Sequence, residues 1–196
     1  MINLLIGMPT WQGGHWINTL SLFTLAATIG SLGCENATLM MIPRRNTVDA
    51  RQLIYEHFLK NKQYTHLLSL DDDVGFEFDD FKKLLEDDKE FVSGILRWRR
   101  KPHLVTAHKD GKALVFNEIK HKGLIQIDSC GLGFALIKRS VADKIGEYNF
   151  YRKIGGEQDV NFTRYLKESG IELWLDTDVI VKHVGEVIIQ EEINIV

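Results

Sequence analysis

Residues 64–73 read Tyr64-Thr65-His66-Leu67-Leu68-Ser69-Leu70-Asp71-Asp72-Asp73, an apolar run that ends in three consecutive carboxylates. Residues 67–70 are short and apolar between polar flanks, which predicts a buried strand. Open α/β sheets bind their ligands at the carboxyl end of central strands, so we expect the acidic triplet to belong to a site. Carboxylate oxygens suit Mg²⁺ or Mn²⁺ shared with a phosphate. The alternative is an acidic helix cap or a solvated turn.

The composition is that of an ordinary globular protein. Of 196 residues, 44% are hydrophobic and 26% are charged, which is enough for a sizeable core. The formal net charge is −3 and the basic cluster at residues 97–101 is local, so we expect no nucleic-acid partner. Two cysteines, Cys34 and Cys130, form neither a disulfide framework nor a metal motif. We therefore expect a reduced, cytoplasmic setting.

The sequence also bears on membrane contact. The N-terminus leads directly into the apolar residues 2–8, so we expect no signal peptide. No apolar run reaches the ~20 residues that cross a bilayer. Residues 20–29 are interrupted by polar side chains, which suits a buried helix. Peripheral membrane association and a homo-oligomer both stay open.

Strands and helices alternate through the first half of the chain. Residues 2–8 and 37–42 predict strands that are closed by prolines. A helix between them is predicted to end near Gly33, with one inner face formed by Trp16, Leu20, Phe23 and Ala27. A second helix is predicted over residues 47–60, with an inner face formed by Ala50, Leu53, Ile54, His57 and Phe58. This alternation predicts a Rossmann-like α/β fold with helices on both faces of the sheet.

The second half shows a different pattern. After a short helix around residues 81–85 and a strand over 90–96, residues 103–127 consist of short extended runs. Asp110-Gly111 lies between two of these runs and indicates a hairpin. We therefore predict an antiparallel meander added to a parallel half, which makes the central sheet mixed. Later helices are predicted over residues 141–145, with Ser140 as the cap, and from about residue 154 to 168, followed by closing extended segments.

Three residues outside the triplet are site candidates. Arg51 lies in the first turns of the second helix, which begins on the ligand side of a parallel sheet, although a solvated surface arginine is the alternative. Asp159 shares a helix face with Phe162 and Leu166, where solvated acids rarely lie, although an acid in a first helical turn also favours the helix dipole. His183 lies inside the last apolar run, where a hydrogen-bonded core histidine is the alternative.

Read together, five segments resemble a GT-A glycosyltransferase, the nucleotide-sugar-dependent type with an Asp-x-Asp motif, similar to bacterial and viral family-2-like enzymes. The resemblance covers nearly the whole chain, in the expected order. The segments are Leu70-Asp71-Asp72-Asp73-Val74, Ala50-Arg51-Gln52-Leu53-Ile54, residues 128–137, Glu157-Gln158-Asp159-Val160-Asn161-Phe162, and residues 174–183. The resemblance implies one GT-A domain over residues 1–196, with a donor-binding half over about 1–96 and an acceptor and catalytic half over about 97–196.

The resemblance also implies roles for the residues that bind the donor. Asp73 would bind Mn²⁺ or Mg²⁺ directly with His183, while Asp71 would approach the ion through water and bond the donor ribose. Pro9, Thr10, Arg51 and Asp72 would line the donor site, with a structural role for Asp72 as the alternative. The ion would neutralise the diphosphate leaving group. The first strand carries no Gly-rich phosphate loop, which makes a metal the physical means to hold a pyrophosphate.

The implied reaction is hexosyl transfer from a UDP- or GDP-sugar to a hydroxyl of a glycan, lipid or protein. Asp159 would be the base of an inverting displacement. The Glu-Asp pair of the family has become Glu157-Gln158-Asp159 here, so Glu157 stays open as the base. A sugar-phosphate nucleotidyltransferase and an inactive glycan- or nucleotide-binding module of the same fold are the alternatives.

Overall fold

The computed structural model describes residues 1–11, 13–99, 102, 104–151 and 157–185. The described helices are α1 (Trp16–Thr28), α2 (Thr47–Lys60), α3 (Phe78–Glu86), α4 (Phe116–Ile119), α5 (Arg139–Ile145) and α6 (Gln158–Glu168), and a 3₁₀ turn (Ile29–Leu32) extends α1. The described strands are β1 (Ile2–Thr10), β2 (Cys34–Pro43), β3 (His66–Leu70), β4 (Val74–Gly75), β5 (Phe91–Ile95), β6 (Ala107–Lys109), β7 (Lys112–Ala113), β8 (Leu124–Ile127), β9 (Ser129–Cys130), β10 (Phe134–Lys138), β11 (Leu173–Ile180) and β12 (Lys182–His183).

The central sheet has seven strands in the order β2-β1-β3-β10-β5-β11-β8. β2, β1 and β3 run parallel, as do β5 and β11, whereas β10 and β8 are antiparallel to their neighbours. The mixed α/β class predicted from the sequence is therefore confirmed. β3 is central, and its side chains are buried on both faces, which explains its continuous apolar run.

Two apolar cores flank this sheet. One contains residues of α2, α5 and α6, and the other contains residues of α1 and α3. Both cores are anchored by fully buried rings, such as Phe58 in the first and Phe81 in the second. Burying one such side chain contributes about 1.5–3 kcal/mol, so the layers on both sides hold the sheet in place.

The predicted inner face of α1 is wrong. Trp16, Leu20 and Phe23 are 62%, 57% and 74% exposed, and Ala27 is exposed too. The buried face consists of Ile17, Asn18, Ser21 and Leu25. Both sets have helical spacing in a helix without charged residues, so the periodicity did not distinguish the inner from the outer face. None of the helices in the described residues has the length and apolar character of a transmembrane span.

Other differences from the predicted elements are local. α2 has the predicted bounds, with Asn46 as its cap, but Leu53 is 38% exposed and Tyr55 is buried in its place. The predicted hairpin at Asp110-Gly111 joins β6 and β7, as expected. The prediction of an antiparallel meander is only partly correct, because residues 116–119 form a helix and β8 joins the central sheet beside β11.

The helix after β10 begins at Arg139, and its cap position is Lys138 rather than Ser140. The Ser140 hydroxyl instead donates a hydrogen bond to Glu90. Three predicted features lie outside the described residues, namely the start of the meander at His103, the basic residues 100–101 and the helix opening at residues 154–156.

Candidate active site

The acidic triplet lies at the carboxyl edge of the sheet, as predicted. Asp71, Asp72 and Asp73 follow β3, and the segments after the parallel strands β5 and β11 reach the same edge. Asn18, a fully buried side chain of α1, donates hydrogen bonds to the carbonyls of Asp71 (3.2 Å) and Val74 (3.0 Å). The turn that carries the carboxylates is therefore held by the core, and the polar Asn18 in an apolar helix was the sequence signal for this contact.

A short backbone ribbon brings His183 to Asp73. β4 pairs with β12 in antiparallel register, with His183 opposite Val74, and the Val184 amide donates to the Asp73 carbonyl at 2.9 Å. His183 Nε2 consequently lies 3.6 Å from Asp73 Oδ1. Two residues far apart in the sequence are thus joined by main-chain hydrogen bonds, which fix their separation more firmly than side-chain packing alone.

The tautomer of His183 follows from its contacts. Its Nδ1 lies 2.6 Å from the Arg97 carbonyl, which only accepts hydrogen bonds, so Nδ1 carries the proton. Nε2 is then unprotonated in the neutral ring, and burial keeps the ring neutral by lowering the pKa of His183, a shift that the nearby Arg99 favours and the Arg97 carbonyl opposes. A neutral imidazole oriented by a carbonyl is the form that binds a metal.

The pair fits a divalent cation in chemistry and geometry. Asp73 Oδ1 is buried and has no hydrogen-bond partner among the described residues. In an octahedral site, two adjacent ligand atoms that each lie about 2.1 Å from the ion are about 3 Å apart. His183 Nε2 and Asp73 Oδ1 are 3.6 Å apart, so binding an ion between them requires only a small movement. No group of three or more His, Cys, Asp or Glu side chains suited to a metal occurs within the described part of the chain. A cation held here would take its other ligands from water or substrate.

Arg99 is a neighbour of this pair that the sequence did not predict. Its Nε donates to His183 Nε2 at 3.0 Å, and its guanidinium forms an ion pair with the Asp73 carboxylate. The side chain is 50% exposed and follows β5 by a few residues. Its presence in a basic loop was visible in the sequence, but its contact with two residues of other segments was not.

Arg51 forms ion pairs with both Asp71 of the acidic triplet and Asp159, the candidate base. Its guanidinium lies 2.8 Å from Asp71 Oδ1 and 3.3 Å from Asp159 Oδ2. The side chain is buried, so the solvated alternative is wrong. Burial by itself would lower the pKa of Arg51, but the carboxylates of Asp71 and Asp159 outweigh it and raise that pKa. Arg51 is therefore a fixed cation that sets the distance between the two acids.

The backbone of residues 131–133 lies between Asp71 and Asp159 and contacts both. The Leu132 amide lies 3.4 Å from Asp159 Oδ2, and the Gly133 carbonyl accepts from the Asp71 amide at 3.0 Å. A β-carbon on Gly133 would lie 2.9 Å from Asp71 Oδ2 and 2.5 Å from Leu96 Cδ2. The absence of a side chain at Gly133 thus lets the backbone lie directly against a site carboxylate.

A pocket of about 500 Å³ opens beside Asp71 and Asp159. Its other lining residues are Thr47, Val48, Arg51, Phe150, Tyr151, Glu157, Gln158 and Asn161. Gln52 supports the aromatic wall, because its Nε2 donates to the Tyr148 carbonyl at 3.0 Å and its Oε1 accepts from the Phe150 amide at 2.9 Å. The pocket is wide enough for a small organic ligand.

The remaining predicted residues lie around this centre. Glu157 is exposed and occupies the cap position of α6, so it reaches the pocket from its rim. Pro9 and Thr10 are buried at the end of β1 and do not line the pocket, and Thr10 Oγ1 accepts from the Gly13 amide at 2.9 Å. Asp72 accepts main-chain hydrogen bonds from His15 (2.8 Å, to its carbonyl) and Trp11 (3.4 Å, to its carboxylate), which orients the β1–α1 loop.

Neither a protein-family model nor a curated protein matches the sequence. The structure is similar to A197 from STIV, with a TM-score of 0.64 and 19% identity over 94% of this chain and 86% of the other. It is also similar to the catalytic domain of Drosophila β1,4-galactosyltransferase 7 in complex with xylobiose, with a TM-score of 0.56 and 12% identity over 94% and 71% of the two chains.

A third similar structure is GalNAc-T7 with UDP, GalNAc and Mn²⁺, with a TM-score of 0.56 and 10% identity. The match covers 90% of this chain but 43% of that protein, so the chain spans less than half of its length. The seven-stranded mixed sheet flanked by helices is therefore the GT-A glycosyltransferase fold that the sequence predicted. At these identities, the similarity establishes the fold alone.

Proposed function

We propose that the protein is a metal-dependent glycosyltransferase that moves a hexosyl group from a UDP- or GDP-sugar to a hydroxyl of a glycan, lipid or protein acceptor. The observation that carries the proposal is the pairing of Asp73 with a neutral His183 at the carboxyl edge of a GT-A sheet. GalNAc-T7, which shares this fold, was crystallised with UDP and Mn²⁺, and this supports a nucleoside diphosphate and a divalent ion as ligands.

The metal would be held by Asp73 Oδ1 and His183 Nε2. When bound, Mn²⁺ or Mg²⁺ neutralises the diphosphate and stabilises it as a leaving group. A mixed oxygen and imidazole site accepts Mn²⁺ more readily than Mg²⁺. In this proposal, Asp71 stays paired with Arg51 and presents its outer edge to the donor ribose. Residues 1–96 would form the donor half, with Pro9, Thr10 and Asp72 shaping the donor site through the β1–α1 loop.

Asp159 would be the base of an inverting displacement. Its carboxylate lines the pocket and faces Asp71 across Arg51, so an acceptor hydroxyl in the pocket can lie between base and donor. The acceptor oxygen bonds the anomeric carbon, its proton passes to Asp159, and the bond from the anomeric carbon to the diphosphate oxygen breaks. Glu157 is the second candidate, and its exposed position at the pocket rim favours acceptor binding instead. Residues 97–196 would form this acceptor and catalytic half.

An inactive nucleotide- or glycan-binding module is the second candidate function. The observation that favours it is the ion pair between Arg51 and Asp159, since a carboxylate paired with a guanidinium is a weaker base. The nucleotidyltransferase alternative has less support, because the described residues of the β1–α1 loop carry no lysine or arginine for a phosphate.

Calorimetric titration of UDP and GDP with and without Mn²⁺ tests the donor site. We expect binding that requires the ion and that is weakened at least ~10-fold by Asp73→Ala and by His183→Ala. Asp143→Ala, which removes a surface carboxylate paired with Lys62, is the matched control and should bind normally. If no nucleoside diphosphate binds in a metal-dependent way, the proposal is wrong.

Release of UDP or GDP from a panel of sugar nucleotides, with candidate acceptors, then separates an enzyme from a binding module. Asp159→Asn should keep nucleotide binding and lose at least ~100-fold in transfer rate, whereas Glu157→Gln should lose less. Loss of transfer in Glu157→Gln alone would make Glu157 the base. Binding without any transfer by the wild type would favour the inactive module.

A further inference from the structure

The pocket beside Asp159 is surrounded by hydrogen-bonding atoms that the chain leaves unused. Three of its lining residues carry a buried nitrogen or oxygen without a hydrogen-bond partner among the described residues, namely Arg51 Nε, Gln158 Oε1 and Asn161 Oδ1. Asn161 is only 3% exposed. An unpaired buried polar atom costs about 1–3 kcal/mol, so three of them around one cavity indicate a ligand that pairs with them on binding.

The unpaired atoms determine what this ligand has to offer. The two amide oxygens accept hydrogen bonds and therefore need donors, whereas the Arg51 Nε–H group needs an acceptor. A hydroxyl group is both a donor and an acceptor. Gln158 and Asn161 are three residues apart on α6, so they lie on the same side of the helix with β-carbons about 5–6 Å apart. Two hydroxyls of one sugar ring can span this distance, whereas a single serine hydroxyl satisfies one oxygen and an aliphatic chain satisfies neither.

Another part of the pocket wall is aromatic and held in place. Tyr151 is 56% exposed, yet its hydroxyl donates a hydrogen bond to the Asp49 carboxylate and its amide donates to Asn149 Oδ1 at 2.9 Å. The adjacent Phe150 stacks on Phe162 with the ring centroids 4.9 Å apart. An exposed aromatic ring that is fixed at both ends can pack against the apolar C–H face of a sugar and remove apolar area from water.

We propose that the pocket binds a pyranose ring of the acceptor, with its C–H face on Tyr151 and its hydroxyls on Gln158 and Asn161. The inference rests on the proposed transferase function, because Asp159, the proposed base, lines the same cavity and would take the proton of the reacting hydroxyl. It assigns a glycan, rather than a lipid or an unmodified protein, as the acceptor. A nucleobase could also stack on Tyr151, but in this pocket it would exclude the acceptor hydroxyl from Asp159.

Titration of methyl pyranosides, followed by NMR, tests the pocket without metal or nucleotide. The panel contains the methyl glycosides of glucose, galactose, mannose, xylose and N-acetylglucosamine, and a capped serine tripeptide and hexanol represent the other acceptor classes. We expect at least one pyranoside to bind with a Kd of about 1–10 mM, and Tyr151→Ala to weaken it at least ~5-fold. Tyr151→Phe keeps the ring and should retain most of the affinity. Phe23→Ala removes an exposed ring of α1 and is the matched control.

A second variant tests the unpaired oxygens. Asn161→Leu removes the buried oxygen with little change in side-chain volume, so the variant should keep its fold, as judged by circular dichroism, while its pyranoside affinity falls at least ~5-fold. A purely structural role of Asn161 would leave that affinity unchanged. Gln158→Met removes the other unpaired oxygen from a partly exposed position and gives the same test if Asn161→Leu does not fold.

Titration of UDP and GDP with Mn²⁺ on the same variants completes the test. Weaker pyranoside binding with unchanged nucleotide binding supports the proposal. No binding of any pyranoside, binding that neither Tyr151→Ala nor Asn161→Leu affects, or preferential binding of the tripeptide or hexanol would each overturn it. Weaker nucleotide binding in place of weaker pyranoside binding would assign the pocket to the nucleobase and would also overturn it. Pyranoside binding by a wild type that binds no nucleotide would keep the sugar pocket and overturn the transferase, so the two failures are distinguishable.

Discussion

The Nε atom of Arg99 lies 3.0 Å from Nε2 of His183, and the Arg99 guanidinium also contacts Asp73. The chain thus supplies its own cation to the two residues proposed to hold a divalent ion. Arg99 is 50% exposed, whereas the side chain of His183 is only 11% exposed. The arginine can therefore move into solvent without disturbing the core, while His183 and Asp73 stay fixed by the β4–β12 ribbon.

Removal of this cation should strengthen metal binding. In Arg99→Gln, Mn²⁺ no longer competes with a guanidinium, and we expect its affinity without nucleotide to rise about 5- to 10-fold, equivalent to a partly exposed ion pair of about 1 kcal/mol. Calorimetry or the free-Mn²⁺ resonance signal measures the change. Arg164→Gln, an exposed arginine on α6, serves as the control. An unchanged affinity in Arg99→Gln would show that the contact does not oppose the ion.

Arg51 should be essential for stability as well as for the site. Arg51→Gln leaves Asp71 and Asp159 without their shared cation in a mostly buried setting, and breaking such a pair costs about 3 kcal/mol of unfolding free energy. Urea denaturation at pH 7 measures this loss. Lys62→Gln breaks the exposed pair with Asp143 and should cost less than about 1 kcal/mol.

A second substitution tests the cause of that loss. Asp71→Asn in the Arg51→Gln background removes one of the two unpaired charges, so the double variant should be more stable than Arg51→Gln alone. If the two losses simply add, the arginine stabilises the fold through packing rather than through the carboxylates.

The sequence indicated the main elements and the position of the acidic triplet for clear physical reasons. Short apolar runs with turn residues between them predicted β1, β3 and β5, and carboxylates directly after a buried strand predicted the edge at which they lie. The link from Asp73 to His183 came from the family resemblance, since the β4–β12 pairing depends on only two residues in each strand. Strands this short leave no periodicity to detect.

Two features could not be read from the sequence because they depend on long-range packing. α1 is apolar around most of its circumference, so the spacing of Trp16 and Leu20 predicted a helix but not the side that faces the sheet. Only the buried polar pair Asn18 and Ser21 identifies the inner face, since Asn18 donates to the turn after β3 and Ser21 accepts from the backbone amide that follows β4. Arg99 is a surface-loop residue in sequence terms, and only the meeting of three segments makes it part of the site.

Gly133→Ala should damage the site without removing any charge. The added methyl group would lie 2.9 Å from Asp71 Oδ2 and would displace that carboxylate from Arg51. We expect a loss of about 1–3 kcal/mol in unfolding free energy and weaker metal-dependent nucleotide binding. Gly30→Ala, where a β-carbon meets no atom within 4 Å, is the control and should be neutral. Normal nucleotide binding in Gly133→Ala would mean that Asp71 does not contact the donor.

Asp87 should make the protein less stable as the pH rises from about 4 to 6. Burial raises the pKa of Asp87 to about 6, and the neighbouring carboxylate of Asp176 adds to the shift. The usual value in an unfolded chain is 3.8, so between these values the folded state binds more protons than the unfolded state. The stabilisation that protonated Asp87 provides is therefore complete below about pH 4 and is lost as the pH rises through about 6.

Asp87→Asn removes this dependence, because the neutral amide stays uncharged at every pH. We expect the variant to be more stable than the wild type by about 1–2 kcal/mol at pH 8, a value reduced for the partial exposure of Asp87, with little difference at pH 4. Urea denaturation at both pH values measures the effect. Glu86→Gln, an adjacent exposed carboxylate paired with Lys82, should show no such difference between the two pH values. A stability gain of equal size at pH 4 would mean that the aspartate destabilises α3 through its shape or its position at the helix end, since its charge is absent at that pH.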